Sequence, residues 1–195
     1  MEEVKLRTDV LSRFIAGTAT AVYRAANIET EYLQLRKILE LVAFGSLVAN
    51  RDSFSKLYAE FAKLWNARRL LDDIEEVHPG FYPEPIVEKL DPEAGVKAEW
   101  QKKEDGFLTR QDFITLYKKC GAILHAENPY GDKIDYAAYE QEAPTWLKKI
   151  VGLLNCHLIR LVDDKNIYLV HMHEEQDGRV HYYTFAPGSP PEGRS

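Results

Sequence analysis

The sequence has little cysteine and no long hydrophobic run, and both scarcities narrow what the chain can be. Only Cys120 and Cys156 occur among 195 residues, whereas small secreted domains are usually rich in cysteine. We therefore expect buried free thiols in a reducing compartment. The most apolar run, residues 38–49, is too short to cross a bilayer and contains Glu40. Because the N-terminus also lacks a basic-then-apolar signal pattern, the sequence predicts a cytoplasmic protein with no membrane partner.

Several motifs that would reveal a function are also absent. The chain has no glycine-rich phosphate loop, no nucleophile elbow and no zinc-finger spacing, so no cofactor is expected. The formal net charge of −6 argues against nonspecific binding of polyanions over the whole surface. Apolar residues make up 45% of the chain, which is enough to build a sizeable core in one globular domain.

Helical periodicity dominates what is present, and it predicts a mainly α fold, an up-and-down helical bundle of about five helices with a C-terminal β-hairpin. The predicted helices cover about residues 4–26, 29–50, 53–77, 109–126 and 144–162. The second is apolar on nearly every face, which is typical of a helix in the middle of a bundle. Thr109 and Asp112 resemble a capping box at the start of the fourth helix, and Pro144 suits the first turn of the fifth.

Outside the predicted helices, the composition of the chain and the alternation of apolar and polar residues predict a connection, a hairpin and a tail. Residues 78–106 carry prolines and glycines at intervals, which predicts a long connection. Alternating apolar residues on both sides of Gln176-Asp177-Gly178 predict a hairpin over about residues 166–186. We therefore expect a single domain over residues 1–186, followed by a disordered tail over residues 187–195.

The end of the predicted fourth helix carries the first candidate site. At 100° per residue, Lys118 and His125 point nearly the same way, and Gly121 lies on their side. A histidine beside a cation and a close-packing glycine suits general acid–base chemistry on a phosphodiester. In the alternative interpretation His125 stands near a helix C-terminus only because positive charge is favoured there, and Asn128 is only a turn residue.

The segment Leu124-His125-Ala126-Glu127-Asn128, late in a five-helix all-α layout, resembles the HEPN superfamily, prokaryotic helical domains of toxin–antitoxin and phage-defence systems. The resemblance covers about residues 29–162. It implies metal-independent cleavage of RNA in a cleft between two protomers, and therefore a homodimer. His125 would be the catalytic acid–base residue, and Lys118 and Asn128 would bind the substrate.

One departure from the HEPN pattern concerns the arginine that precedes the histidine by four to six residues. Lys119 stands there in this chain, with Lys118 beside it. Lysine offers a positive charge but lacks the planar fork that matches phosphate at two points. The resemblance therefore gives Lys119 a catalytic role as phosphate partner, while also admitting a member without activity.

Arg36 and Glu40, on the predicted central helix, form the second candidate. Their i,i+4 spacing permits an ion pair, and charged residues in an apolar segment are seldom fully buried unless paired. In the functional interpretation they line a cleft, where Arg36 faces His125, replaces the missing arginine and joins the catalytic group, with Glu40 contacting substrate. In the alternative they belong to a narrow solvated stripe with Gln34 and Lys37.

The predicted hairpin carries the third candidate, a metal site formed by histidines. A three-residue loop would place His173 opposite His181 with His171 on the same face, and three imidazoles can hold zinc. A two-residue loop would instead put His181 opposite Glu174. Since no carboxylate or cysteine spacing reinforces the first arrangement, solvent-facing histidines and no metal are expected.

Two functions from different classes follow. The first is a HEPN-like domain of a defence or toxin system that cleaves RNA. The second is a non-catalytic protein–protein interaction or regulatory module, which agrees better with the acidic charge and the missing arginine. Lysines 102, 103, 118, 119, 148 and 149 would form a positive patch for RNA if the fourth and fifth helices are neighbours, or else they are solvated separately.

Overall fold

The computed structural model describes residues 1–49, 72, 75–76, 79–89, 99–126, 130, 133–161 and 165–186. In these residues the elements, in chain order, are α1 (Glu2–Ile15), α2 (Arg24–Ala49), β1 (Glu84–Lys89), β2 (Glu99–Lys102), α3 (Arg110–Ile123), α4 (Tyr136–Leu154), β3 (Cys156–Arg160), β4 (Ile167–His171) and β5 (His181–Phe185). The predicted helical bundle with a lone hairpin is therefore wrong, because a five-stranded sheet accompanies the helices. The third predicted helix falls mainly outside the described residues, and the predicted tail does so entirely.

The sheet has the strand order β2-β1-β3-β4-β5, and every neighbouring pair is antiparallel. Its two parts are the β1–β2 pair and the β3–β4–β5 meander. The ladder between these parts has two residue pairs, Glu84–Leu158 and Pro85–His157, whereas β3 and β4 share five. The two parts are therefore joined by few backbone hydrogen bonds.

Several of the predicted helix boundaries differ from the observed ones, including the end of the fifth, predicted near residue 162, whereas α4 ends at Leu154. The break between the first two helices lies at residues 16–23 instead of residues 27–28. It contains Gly17, whose φ of +69° glycine adopts easily. Pro144 lies inside α4, whose N-cap is Asp135. The capping box of Thr109 and Asp112 is confirmed at the start of α3, but this helix ends at Ile123.

The main core surrounds α2, in agreement with its apolar faces. Seven α2 side chains are buried there: Ile28, Tyr32, Leu35, Ile38, Leu39, Val42 and Ala43. Ion pairs between Lys119 and Glu142 and between Asp112 and Lys149 show that α3 and α4 lie side by side in antiparallel directions. None of the described helices is long and apolar enough to cross a bilayer.

The sheet has a second, smaller apolar cluster on the face that carries Ile86, Leu158 and Leu169. Trp100 of β2 and Phe185 of β5 also lie there, with their ring centroids 4.7 Å apart. These strands are at opposite edges of the sheet, and a flat sheet would separate them by about 19 Å, at about 4.8 Å per strand. The sheet is therefore strongly curled around this cluster.

Candidate metal centre on the curled sheet

Three side chains from β1, β3 and β4 meet on the curled face of the sheet. Cys156 is paired with His171 in the ladder between β3 and β4, so both side chains point to the same face. Glu88 comes two residues after Ile86 on β1 and shares that face. The potential ligand atoms of Glu88, Cys156 and His171 all lie within 4.8 Å of one another. We call these three residues the Glu–Cys–His cluster.

A second layer of hydrogen bonds orients the cluster. Nδ1 of His171 lies 3.1 Å from Oε2 of Glu174, and the same oxygen accepts a hydrogen bond from the Tyr183 hydroxyl at 3.1 Å. On the other side, Trp100 Nε1 donates to Oε1 of Glu88 at 3.2 Å. With Nδ1 donating to Glu174, the imidazole presents Nε2 to Cys156 and Glu88.

Nε2 of His171 is the unusual atom of the cluster. It is buried, and no described atom is in hydrogen-bond geometry with it, although Oε2 of Glu88 is 3.1 Å away. Because Nε2 and this carboxylate oxygen are close but not aligned, they form no more than an ion pair, and only when the His171 ring is protonated. Buried polar atoms are usually hydrogen-bonded, so an unaligned nitrogen beside an oxygen and a sulfur needs an explanation.

The electrostatics of the cluster favour a cation. Burial, followed by the negative charge of Glu88, raises the pKa of Cys156 to about 12. The hydrogen bond from His171, followed by that from Tyr183, lowers the pKa of Glu174. Without a cation the thiol is therefore neutral at pH 7, while the Glu174 carboxylate keeps its negative charge. A bound metal ion would favour the thiolate directly.

The donor set decides which ion fits. Cysteine sulfur, imidazole nitrogen and carboxylate oxygen are all zinc ligands, at about 2.0–2.3 Å from the ion. Ligands around a tetrahedral ion are then roughly 3.3–3.6 Å apart, and the cluster reaches such spacings with shifts of about an ångström. A thiolate disfavours magnesium and calcium, which prefer oxygen ligands. The arrangement therefore fits an ion of the zinc class with one open coordination position.

The structure does not bring together the three histidines of the predicted metal site. The β4–β5 ladder pairs His171 with His181, while the amide of Glu174 donates to the carbonyl of Arg179. Met172 and His173 therefore lie opposite a single residue, Val180, and form a β-bulge. Neither of the two predicted registers occurs.

The other two histidines have separate surroundings. His181 Nε2 lies 3.1 Å from Oδ2 of Asp177, and the ring of His173 lies against Gly178. Within the described part of the chain, only His171 joins a group that could hold a metal.

The predicted pair of Arg36 and Glu40 is present, with Nε and Oε1 3.0 Å apart. Arg36 also donates to the Tyr117 hydroxyl at 3.2 Å and lies 4.9 Å from the centroid of that ring. The Arg36 side chain lies against Gly121, where an added Cβ would be at an ordinary contact distance of 3.7 Å from Nη1. Arg36 is thus engaged between α2 and α3, and no described contact joins it to His125.

His125 lies beyond the end of α3 and is exposed, so helical angles do not relate it to Lys118. Lys118 is exposed on α3. Lys119 pairs with Glu142 at 2.8 Å and lies 5.4 Å from the centroid of the Tyr139 ring. Asn128 lies outside the described residues. In the part of the chain that the structure describes, no contact joins His125 to Arg36, Lys118 or Lys119, and the RNA site stays a prediction.

Sequence reasoning missed Glu88, Cys156 and Glu174. Glu88 falls in the segment predicted as a connection, and Cys156 in the segment predicted as a helix. The spacing of His171 and Glu174 is the one local feature of the sequence that points to this site, and it is weak. Cys156 and Glu88 come to lie beside them only through the strand order.

The resemblance to HEPN domains depended partly on an all-α layout, which the sheet does not provide. Its short segment, residues 124–128, begins at the end of α3. Residues 127–129 are outside the described residues. The resemblance therefore stays a prediction. In comparisons with known proteins, no family model, curated protein or solved structure matches this chain.

Proposed function

We propose that this domain binds a divalent metal ion of the zinc class through Glu88, Cys156 and His171. The observation that carries the proposal is the buried Nε2 of His171, which faces the other two ligands without an aligned hydrogen bond among the described atoms. Histidines that bind zinc commonly donate their other ring N–H to a carboxylate, and Glu174 is placed to accept it. The proposal departs from the expectation of no metal.

A metal-free alternative is a doubly protonated His171 between Glu88 and Glu174. Such a ring would donate from both nitrogens, which agrees with the two distances of 3.1 Å. It does not account for the missing alignment at Nε2, nor for the nearby sulfur of Cys156. These two features favour the metal.

The ion would fasten the two parts of the sheet. Glu88 belongs to β1, whereas Cys156 and His171 belong to the meander, and the backbone joins these parts through only two residue pairs. An ion bound to residues of β1, β3 and β4 would link the two parts of the sheet at a point beyond the end of their short ladder. Three protein ligands also leave one position for water or another ligand, as in catalytic zinc sites.

Metal content and thermal stability test this proposal. After chelator treatment and removal of the chelator, the full chain should bind one zinc ion per molecule, and zinc should raise Tm because it binds the folded state. Cys156→Ala should remove stoichiometric binding and most of the increase in Tm.

Matched controls separate the cluster from other thiols and imidazoles. Cys120→Ala changes the buried cysteine of α3, and His181→Ala changes the neighbouring strand histidine; both should keep the bound zinc. Equal zinc binding by wild type and Cys156→Ala would contradict the proposal.

The predicted RNA cleavage is a separate hypothesis with less support. Three of the six patch lysines form ion pairs, Lys102 with Glu84, Lys119 with Glu142 and Lys149 with Asp112, which reduces the positive potential of the patch. Metal-independent cleavage would survive a chelator and be lost in His125→Ala. Cleavage lost on chelation and in Cys156→Ala would belong to the metal, and absence of cleavage favours an interaction module.

A further inference from the structure

A cavity of about 280 Å³ lies between the α1–α2 connection and α4. Phe14 and Ile15 form part of an apolar wall, while Asn27, Glu31, Glu140 and Pro144 bring polar and helical groups to the same space. None of these residues belongs to the Glu–Cys–His cluster. The cavity is therefore a distinct candidate site.

Glu31 brings a buried carboxyl group to this cavity. The residue is only 5% exposed, and its Oε2 has no hydrogen-bond partner among the described atoms. Burial, followed by the negative charge of Glu140, raises the pKa of Glu31 to about 7. An ionised carboxylate without a partner is costly to bury, and a cation in the cavity would offset that cost.

Glu140 of α4 supplies a second carboxylate to the lining of the cavity. It is paired with Arg24, with Nη2 and Oε2 2.6 Å apart. The cavity therefore presents carboxylate acceptors from α2 and from α4.

The connection over the cavity is held in an unusual conformation. Val22 has a φ of +76°, which is rare for a β-branched residue, and it is 94% exposed. The Asn27 side-chain oxygen accepts hydrogen bonds from the Ala21 amide and the Thr20 hydroxyl. Asn27, which lines the cavity one helical turn before Glu31, thereby holds this connection in place.

We infer that this cavity binds a small organic cation, an ammonium group on a short apolar stem, with Glu31 as its counter-ion. An ammonium group has three donors and no acceptor, which matches the two carboxylates in the lining, Glu31 and Glu140. The stem would lie against Phe14 and Ile15. A cavity of this size has room for roughly nine waters at about 30 Å³ each, and therefore for a stem of a few carbon atoms.

Calorimetry on the full chain tests this inference with n-butylammonium as probe. n-Butanol serves as the neutral match, and potassium chloride at equal ionic strength as the inorganic cation. Butylammonium should bind one to one and more tightly than butanol. In Glu31→Gln, which keeps the shape of the side chain, its affinity should fall at least about tenfold, since hydrogen bonds to charged groups contribute about 1.5–3 kcal/mol.

Glu29→Gln is the matched control on the same helix. Glu29 accepts a hydrogen bond from the Tyr136 hydroxyl at 3.0 Å, which glutamine can also accept, so affinity should not change. Retained binding in Glu31→Gln, butanol binding as tight as that of butylammonium, or equal binding of potassium would each overturn the inference. Circular dichroism of both variants establishes that they are folded.

Discussion

At the scale of single residues, four described side chains have a buried polar atom without a hydrogen-bond partner: Glu31, Arg110, His157 and His171. Of these, Glu31 lines the cavity beside α4, and His171 belongs to the Glu–Cys–His cluster. Sequence spacing could not identify either atom. The apolar faces of α2 predict a core helix but do not show that the Glu31 carboxyl lacks a partner. The three hairpin histidines looked equivalent until the bulge at Met172 and His173 separated them.

Glu31 should make stability depend on pH. Its pKa is about 7 in the folded chain and about 4.3 when unfolded, so between these values the folded state holds the extra proton. Stability therefore falls as pH rises through this window. Glu31→Gln should remove this pH dependence. Its free energy of unfolding should equal that of wild type near pH 4.5 and exceed it by about 1–2 kcal/mol at pH 7.5. The full pKa shift would give more, but the carboxyl borders a solvent-accessible cavity, which reduces the effect.

Urea unfolding of wild type and Glu31→Gln at several pH values, without amines in the buffer, measures this difference. Glu29→Gln, on the same helix, is measured beside it as the control. A constant difference for Glu31→Gln would mean that Glu31 has the same pKa in the folded and the unfolded chain, contrary to the effect of its burial.

At the scale of elements, local signals located some helix ends well and the strands poorly. The capping box of α3 was predictable because Thr109 and Asp112 act within one turn. β3 was missed because Leu154 and Leu158 also fit helical spacing, and short apolar runs do not distinguish helix from strand. β1 was missed because Pro83 and Pro85 resemble a connection, although proline is tolerated near a strand start.

The capping box should contribute measurably to stability. Thr109 accepts a hydrogen bond from the Asp112 amide at 3.0 Å, and Thr109→Ala should lower the free energy of unfolding by about 1 kcal/mol. Thr115→Ala is the control, because Thr115 lies on an exposed position of the same helix and bonds the Gln111 carbonyl. It should change stability by less than about 0.5 kcal/mol. Equal losses in the two variants would show that the cap has no special role.

At the scale of the whole molecule, the strand order assembles the Glu–Cys–His cluster. Glu88 is far from Cys156 and His171 along the chain, and β2, α3 and α4 all lie between β1 and β3 in sequence. A local motif could not predict such a site. The central helix α2 was predictable from composition, whereas the sheet that carries the candidate site depends on pairings between distant segments.

The absorption spectrum of the cobalt-loaded protein tests the central claim most directly. Cobalt(II) bound by Cys156, His171 and Glu88 should give a thiolate-to-cobalt charge-transfer band at one equivalent, displaced by zinc. The band should be absent in Cys156→Ala and present in Cys120→Ala. A spectrum without this band in wild type, or one unchanged in Cys156→Ala, would contradict a metal ion at the cluster.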